Sequence, residues 1–232
     1  MVLAAGIGTR MRPLTDNKPK PLVEVMGRPL IDHNLDRLAA AGVSTSVVNL
    51  HHFADKLESH LANRKNPKIV FSDERKQLLD TGGGISNALP LLGDAPFLLI
   101  NSDSLWLEKE TRNFALLAQT FDLKIMDALL LLTPAVNAAG YEGKGDYFME
   151  TEGRLRRREN RETAPFVYAG GAILSPALFK DAPAGAFPLP HLFDRAQSTG
   201  RLFGIELNGL FLHVGTPAAI AIAEEAIRRT ST

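Results

Sequence analysis

The sequence contains no cysteine. Disulfide bonds and thiolate metal sites are therefore excluded. A chain without cysteine fits a reducing compartment, and we expect a cytoplasmic protein. The motifs of serine hydrolases, a nucleophile elbow or a Ser–His–Asp arrangement, are missing as well.

Charge of one sign is not in excess either, because 26 Lys and Arg residues balance 26 Asp and Glu residues. No global field recruits nucleic acid or an anionic membrane, so any anion site must be local. Apolar runs such as residues 128–132 are far too short to span a bilayer, and the apolar run at the N-terminus is too short for a signal peptide. A length of 232 residues with 45% hydrophobic residues predicts one soluble globular domain.

The most informative stretch lies at the N-terminus, where an apolar run breaks into a glycine loop. Gly6 and Gly8 have no side chain, so backbone N–H groups there can approach a bound polyanion. Arg10 and Arg12 can bind phosphate oxygens with their planar guanidinium groups, and Lys20, between two prolines, supplies a compact positive charge. The stretch therefore predicts a nucleotide or phosphate site.

This loop differs from the two commonest phosphate-binding motifs. The third glycine of G-x-G-x-x-G falls at Met11, and Pro13 discourages a helix that opens directly from the loop. No G-K-[ST] follows, so the stretch is not a Walker A loop either.

Hydrophobic patterning over the first 133 residues alternates between strands and helices. The strands are continuous apolar runs, which indicates a mostly parallel sheet covered by helices. We expect strands at 2–5, 45–50, 69–72, 96–101 and 126–133, and helices at 29–42, 53–62, 85–92 and 110–119. Ligands of such sheets bind outside the carboxyl ends of the strands, where the first loop, glycines 82–84 and Asp103 should meet.

After residue 133 the pattern changes. Residues 146–150 and 154–157 predict a hairpin, and residues 166–174 predict a long strand. A helix at 189–200, strands at 202–207 and 210–214, and a closing helix at 216–229 complete the expected elements.

Residues 3–21 match the pattern L-A-A-G-x-G-T-R-M-x-P-L-T-x-x-x-P-K-P, which resembles the signature of the sugar-1-phosphate nucleotidylyltransferases, or nucleotide-sugar pyrophosphorylases. The resemblance implies a Rossmann-like three-layer α/β/α sandwich with a central, mostly parallel mixed sheet of the glycosyltransferase A-like kind. It implies that residues 1–133 bind the nucleotide and residues 134–232 bind the sugar phosphate within a single domain.

The resemblance also implies roles for individual residues. Catalysis would rest on Arg10, Lys20 and Asp103. Glycines 82–84 open a helix, so their amides are expected to meet a base edge or an anion, with a plain loop-to-helix turn as the alternative. The implied nucleotide-binding residues are Leu3, Ala4, Ala5, Gly6, Gly8, Thr9, Arg10, Lys20, Thr81, Gly82 and Gly83.

A divalent cation is implied as cofactor, Mg²⁺ with Mn²⁺ as the alternative. Asp103 resembles the family's metal-binding aspartate, although Ser102 replaces the glycine usually found before it. The second metal aspartate of the family precedes a V-G-T-like sequence, and His213 stands at that position here. Imidazole is a poor ligand for Mg²⁺ but an acceptable one for Mn²⁺. Three interpretations stay open: Asp103 alone binds the metal with phosphates and water, His213 contacts phosphate, or the enzyme is impaired.

The sugar phosphate is expected near two glycine-containing segments, which resemble those of relatives acting on N-acetylmuramic acid 1-phosphate. Gly145 and Asp146 belong to the first, Tyr168 and Gly170 to the second. Asp146 would accept hydrogen bonds from sugar hydroxyls, and Gly170 would leave room for a ring. Arg158, the last of three consecutive arginines, is the expected phosphate contact, although strand alternation sends neighbouring members to opposite faces.

The expected substrates are UTP and N-acetylmuramic acid 1-phosphate. Mannose, glucose or heptose 1-phosphate and phosphocholine stay open as alternatives, since relatives using them share nearly the same first motif. A non-catalytic nucleotide-sugar sensor is the alternative from another class, and His213 favours it. No nucleic-acid or membrane partner is expected, and the oligomeric state is not indicated.

Two eye-catching features have simpler explanations. Trp106 follows Asp103 closely, but we expect it to pack in the core rather than stack on a substrate. His51 and His52 resemble a metal pair, yet adjacent residues at a strand end diverge and no carboxylate lies at ligand spacing.

Overall fold

The computed structural model describes residues 1–109 and 112–230. Its strands, in chain order, are β1 (Val2–Leu3), β2 (Glu24–Val25), β3 (Arg28–Pro29), β4 (Thr45–Leu50), β5 (Lys68–Asp73), β6 (Phe97–Asn101), β7 (Ser104–Glu108), β8 (Ala128–Pro134), β9 (Ala138–Ala139), β10 (Tyr147–Met149), β11 (Leu155–Arg157), β12 (Phe166–Leu174), β13 (Leu202–Glu206) and β14 (Gly209–His213). Its α-helices are α1 (Leu30–Ala40), α2 (Ala54–Leu61), α3 (Asp80–Leu92), α4 (Asn113–Thr120), α5 (Pro190–Ser198) and α6 (Pro217–Thr230).

The central sheet is mixed. Strands β6, β1, β4 and β5 are parallel neighbours, as the apolar runs predict. Strand β12 is antiparallel to β6, to β8 and to β10, and β13 pairs in parallel with β8. The sheet therefore has a parallel part from the first half of the chain, and its other part is built around an antiparallel strand. The α/β prediction with a mixed central sheet is confirmed.

Helices cover both faces of this sheet. Alternate side chains of each strand point into one or the other of the two cores between sheet and helices. In β6, Leu99 joins the core on one face and Ile100 the core on the other. Helices α1, α2 and α4 pack on the Ile100 face, and α3 and α5 pack on the Leu99 face. Because successive strand residues point to opposite faces, one continuous apolar run fills both cores. The result is the expected three-layer arrangement.

A second, three-stranded sheet lies beyond the carboxyl end of β6. Strand β7 follows Asp103 directly, and β14 lies between β7 and β9. A third core forms between this sheet and α6, with Leu105, Leu212 and Ala223 among its buried residues. Strand β7 is absent from the sequence prediction, because its only distinctive residue, Trp106, indicated no more than burial.

Most element boundaries agree with the prediction to within a few residues. Helix α3 is the exception, because it begins at Asp80 rather than 85 and takes glycines 82–84 into its first turns. The helix expected from residue 110 is found as α4, and residues 110–111 lie outside the described part. No helix among the described residues is long and apolar enough to cross a membrane.

The expected packing role of Trp106 is confirmed, since the side chain is fully buried and meets Phe114 edge to face at 5.6 Å between ring centroids. Nδ1 of His51 lies 2.7 Å from the carbonyl oxygen of Glu74 and donates a hydrogen bond to it, which gives that ring a structural contact. No group of three or more potential metal-binding side chains forms in the described ranges, at the His51–His52 pair or elsewhere.

Candidate active site

A cavity of about 450 Å³ lies at the carboxyl ends of β1, β4 and β6. The parallel register brings these ends to one edge of the sheet, so loops from distant parts of the chain meet there. The structure gathers most of the predicted nucleotide residues around this cavity. Its lining includes Leu3, Ala4, Ala5, Gly6, Gly8, Thr9, Arg10, Lys20, Thr81 and Asp103, together with Asn49, Asp80 and Asn101, which the sequence did not single out.

The glycine loop is shaped by contacts on its inner side. Gly8 has a left-handed backbone with φ of 72°, and a Cβ atom there would lie 3.0 Å from the Cβ of Lys20. Thr15 is buried and donates a hydrogen bond of 2.9 Å to the carbonyl oxygen of Gly8. A glycine is therefore favoured at position 8, because other residues adopt this backbone conformation only with strain. The missing side chain also lets Lys20 lie close to the loop. At Gly6 the corresponding space is open.

Lys20 and Asp103 form an ion pair on the cavity wall. The Lys20 side chain is 12% exposed and that of Asp103 is 27% exposed, so water screens the pair only in part. Burial pushes the pKa of Asp103 upward, but the ammonium group of Lys20 outweighs it and holds that pKa below its usual range. Asp103 is thus an anion at neutral pH. The ion pair engages Oδ2 and leaves Oδ1 without a side-chain hydrogen bond among the described residues.

A buried amide from α1 fixes the turn that carries Asp103. The side chain of Asn34 is fully buried, and its Nδ2 donates to the carbonyl oxygens of Asn101 at 3.3 Å and Ser102 at 3.1 Å. Asn34 thus gives both carbonyls a donor where β6 ends and holds the turn in place. Asn34 was not predicted, because an asparagine inside an amphipathic helix carries no distinctive signal in the sequence.

The small sheet brings His213 toward the same turn. His213 lies opposite Ser104 in the ladder between β14 and β7, and Ser104 is the residue that follows Asp103. Its ring meets Tyr141 edge to face at 5.8 Å, and a Cβ on Gly215 would lie 2.5 Å from its Nε2. Burial lowers the pKa of His213, Arg10 and Lys20 lower it further, and the carboxylate of Asp103 opposes them. The imidazole is therefore mostly neutral near pH 7, which is the form that can ligate a metal.

Asp103 and His213 are the two side chains beside this turn that could ligate a divalent cation, although Asp103 lines the first cavity and His213 does not. One carboxylate oxygen and one neutral imidazole are available, and no third side chain of a metal-ligating type joins them in the described residues. A bound metal would therefore have to complete its coordination with phosphate oxygens and water. A carboxylate with an imidazole suits Mn²⁺ better than Mg²⁺, which prefers oxygen ligands.

A chain of hydrogen bonds supports the other end of the cavity. Asn49 accepts from the backbone N–H of Ala4 at 2.7 Å and donates to Glu74 at 2.7 Å, and Glu74 accepts from the N–H of Leu79 at 3.1 Å. Both polar side chains are buried. Burial raises the pKa of Glu74, while the donors from Asn49 and Leu79 oppose that rise. These hydrogen bonds link the first loop to the start of α3, and neither Asn49 nor Glu74 was recognised in the sequence.

The triple glycine has a packing role that the sequence did not predict. The N–H groups of Gly82 and Gly83 donate to the carbonyl oxygen of Phe187 at 2.9 and 3.1 Å, so the expectation that these amides are free to meet a base is wrong. A Cβ at Gly82 would lie 2.3 Å from the ring of Phe187, and one at Gly84 would lie 2.7 Å from Glu74. The glycines let α3 approach a distant segment closely. Thr81, one residue earlier, does line the cavity.

A second cavity of about 410 Å³ adjoins the first, and the two share Leu3, Thr81 and Asn101. Two predicted sugar-site residues, Asp146 and Tyr168, line it. Asp146 accepts from the N–H of Tyr168 at 2.9 Å, and burial raises the pKa of its carboxyl group although that hydrogen bond and nearby arginines oppose the rise. The remaining wall comes from Tyr147, Arg157, Pro188, Leu189, Pro190 and Phe193.

Three predicted sugar-site residues have other positions. Gly170 does not leave room for a ring, because a Cβ there would lie 1.8 Å from Oγ of Ser104. Gly145 packs against Ala164, where a Cβ would lie 2.0 Å from the carbonyl oxygen. Arg158 donates through Nε to the carbonyl oxygen of Gly145 at 2.6 Å and lies outside both cavities.

The structure places Arg157, not Arg158, in the wall of the second cavity. The first arginine of the run, Arg156, pairs with Glu162 at 2.8 Å and covers the ring of Phe148. The order along the run alone did not predict which side chain faces the cavity, because β11 ends at Arg157 and the chain turns there.

Gly170 allows a direct test of its contact with Ser104. Gly170 has φ of 76°, so Gly170→Ala adds both backbone strain and the clash, and we expect the free energy of unfolding to fall by about 3 kcal/mol. Denaturation in urea measures the change. Gly6→Ala is the matched control, since open space surrounds that position, and it should stay within about 0.5 kcal/mol of the parent. Equal stability of the two variants would contradict the close approach.

The Asn49–Glu74 hydrogen bond predicts that exchanging the amide and the carboxylate between the two positions restores the stability that a single substitution removes. Asn49→Asp replaces the donor facing Glu74 by a second carboxylate, and we expect a loss of about 3 kcal/mol at neutral pH. The neighbouring charge raises the pKa of the pair in the folded state, so stability is present at low pH and lost as pH rises. The deficit should therefore shrink as the pH falls from neutral towards about 4, the ordinary pKa of a carboxyl group.

The double variant Asn49→Asp with Glu74→Gln restores a donor between the two side chains and leaves an acceptor for Ala4 and for Leu79. We expect it to recover most of the lost stability in the same urea measurement. A double variant no better than Asn49→Asp alone would mean that the hydrogen-bond chain does not link the two loops.

Comparison with known proteins agrees with this geometry. The nucleotidyl transferase family matches residues 1–142. The chain is 47% identical to N-acetylmuramate alpha-1-phosphate uridylyltransferase of Caulobacter vibrioides, over 97% of this chain and 94% of that relative. It is 34% identical to the Neisseria meningitidis serogroup B protein of the same name, over 97% of this chain and 96% of that one.

The fold has solved counterparts as well. A structure of UDP-glucose pyrophosphorylase complexed with UDP-glucose superposes with a TM-score of 0.78, covers 99% of this chain and 97% of its own, and shares 17% sequence identity. At that identity the likeness supports the fold, while the sequence relatives carry the family assignment. The glycine loop, the ion pair at the carboxyl end of β6 and the similarity along the whole chain lead to one conclusion: this protein belongs to the nucleotidyl transferase family.

Proposed function

We propose that the protein transfers a uridylyl group from UTP to N-acetylmuramic acid 1-phosphate and releases pyrophosphate. The observation that carries this proposal is the Lys20–Asp103 pair in a cavity that opens into a second one lined by polar and aromatic side chains. The choice of substrates rests on the names of the two relatives that align with nearly the whole chain.

The chemistry needs little from the protein beyond position and charge. An oxygen of the sugar 1-phosphate attacks the α-phosphorus of UTP, the bond to the β-phosphate oxygen breaks on the opposite side, and pyrophosphate leaves with the electron pair. The second pKa of a phosphate monoester is about 6, so the attacking group is already anionic at neutral pH. No side chain has to remove a proton, and holding the two phosphates in line supplies most of the catalysis.

The proposed role of the first cavity is to neutralise phosphate charge. Arg10 and Lys20 supply two positive charges on its wall, and Arg10 has no ion-pair partner among the described residues. Asp103 and His213 would hold a divalent cation, which when bound withdraws charge from the triphosphate. Lys20 also keeps Asp103 ionised and oriented for that task.

We place UTP in the first cavity and the sugar phosphate in the second. The shared wall of Leu3, Thr81 and Asn101 would then lie beside the reacting phosphates. The absence of cysteine supports a reducing cytoplasm as the place of this reaction. A non-catalytic nucleotide-sugar sensor is the second candidate, because His213 departs from the family's usual carboxylate.

The experiment that separates the two candidates is pyrophosphate release by purified protein. UTP and the other three nucleoside triphosphates are crossed with the 1-phosphates of N-acetylmuramic acid, mannose and glucose and with phosphocholine, under Mg²⁺ or Mn²⁺. We expect release with UTP and N-acetylmuramic acid 1-phosphate, complete loss with excess chelator, and a higher rate with Mn²⁺ than with Mg²⁺ because of His213. A protein that releases no pyrophosphate but is stabilised thermally by UTP would be a sensor.

Variants of the ion pair test the proposed roles. Lys20→Ala and Asp103→Asn should each lower kcat by about 10²- to 10³-fold, as expected when a charged group at the reacting centre is lost. Circular dichroism checks that both variants fold. Lys65→Ala is the control, since Lys65 is exposed and lies outside both cavities, and its kcat should stay within about twofold. Full turnover by either test variant removes that residue from the mechanism.

A further inference from the structure

The second cavity contains one cationic side chain. Among the described residues, Arg157 is the only Lys, Arg or His in its wall, and Asp146 is the only carboxylate. Arg10 and Lys20 line the first cavity and not the second. The guanidinium of Arg157 is therefore separated from Arg10 and Lys20, the groups that would neutralise the reacting phosphates.

Helix α5 holds Arg157 in place. The backbone N–H of Arg157 donates to Oε1 of Gln197 at 2.6 Å, and its Nη1 donates to Asp194 at 2.6 Å. The Nε and Nη2 groups have no hydrogen-bond partner among the described residues. The side chain is thus anchored on one side and keeps donors for a ligand on the other, at 44% exposure. A guanidinium group can bind two anions at once through different N–H groups.

The surroundings of Arg157 in this cavity are apolar and aromatic. Pro188, Pro190 and Phe193 line the wall contributed by α5 and the segment before it. Tyr168 meets Phe193 edge to face at 6.1 Å, and its hydroxyl group is buried without a hydrogen-bond partner in the described part of the chain. A single cation, an unpaired phenol and apolar walls together fit a ligand that combines a carboxylate with small apolar groups.

We propose that Arg157 binds the carboxylate of the lactyl ether on N-acetylmuramic acid 1-phosphate and thereby selects this sugar acid over neutral amino sugars. The inference rests on the proposed function. The lactyl group adds a methyl group and a carboxylate, which is ionised at neutral pH, to an otherwise neutral N-acetylamino sugar. A carboxylate matches the planar donor pair of a guanidinium group, and charge-assisted hydrogen bonds discriminate well against a ligand that lacks the charge.

Two sugars that differ only in this charge test the proposal. Pyrophosphate release with UTP is measured for N-acetylmuramic acid 1-phosphate and for its lactyl carboxamide, with parent protein and with Arg157→Gln. The parent should prefer the acid by about 10- to 100-fold in kcat/KM, and Arg157→Gln should use the two sugars with about equal kcat/KM. The change should appear in KM for the acid, with kcat kept and the carboxamide nearly unaffected.

Three further variants exclude simpler explanations. Arg161→Gln removes an exposed charge from the same segment outside the second cavity and should keep the preference. Arg157→Lys keeps the charge without the planar donor pair and should give an intermediate preference. The double variant Arg157→Gln with Asp194→Asn should also lack the preference; if it regains the parent's preference, Arg157 only neutralises Asp194 and the proposal is wrong.

The outcomes separate this inference from the proposed function. A parent protein that uses neither sugar contradicts the proposed function itself. A parent that uses both equally, or an Arg157→Gln variant that loses the same factor with both, leaves the proposed function intact and overturns the carboxylate contact. In the second case Arg157 would contact the phosphate that both sugars share.

Discussion

The ion pair between Lys20 and Asp103 is the interaction on which the rest of the site depends. It joins the loop after β1 to the turn after β6, and these strands are neighbours in the parallel part of the sheet. A carboxylate and an ammonium group in partial burial are stable only together, because removal of either leaves a poorly solvated charge. The supporting features serve this pair: Gly8 lets Lys20 approach, and Asn34 holds the turn of Asp103.

Buried polar side chains position the loops at this edge of the sheet. Asn34 satisfies the carbonyls at the end of β6, and Asn49 with Glu74 links the first loop to the start of α3. Apolar packing alone would hold such loops with little directional precision, whereas each hydrogen bond prescribes an angle as well as a distance. The cores on the two sheet faces supply stability, and the buried amides and Glu74 supply geometry.

The sequence predicted the elements near the first cavity better than those near the second. Continuous apolar runs identified β4 and β6, and the known edge of a parallel sheet placed the first loop beside Asp103. The triple glycine was misinterpreted because its partner, Phe187, lies about a hundred residues later and nothing local indicates the contact. Which arginine of the run lines the second cavity was not predictable for a related reason, since the register at a strand end depends on tertiary pairing.

The position of strand β12 has a consequence for any shorter fragment of this chain. It covers the outer edge of β6, whose other edge is paired with β1. A fragment ending before Phe166 would leave β6, a run of Phe97, Leu98, Leu99 and Ile100, with a row of bare N–H and C=O groups. Such an apolar open edge is a template for pairing with other chains. The first half of the chain thus depends on β12, from the second half, to cover an apolar sheet edge.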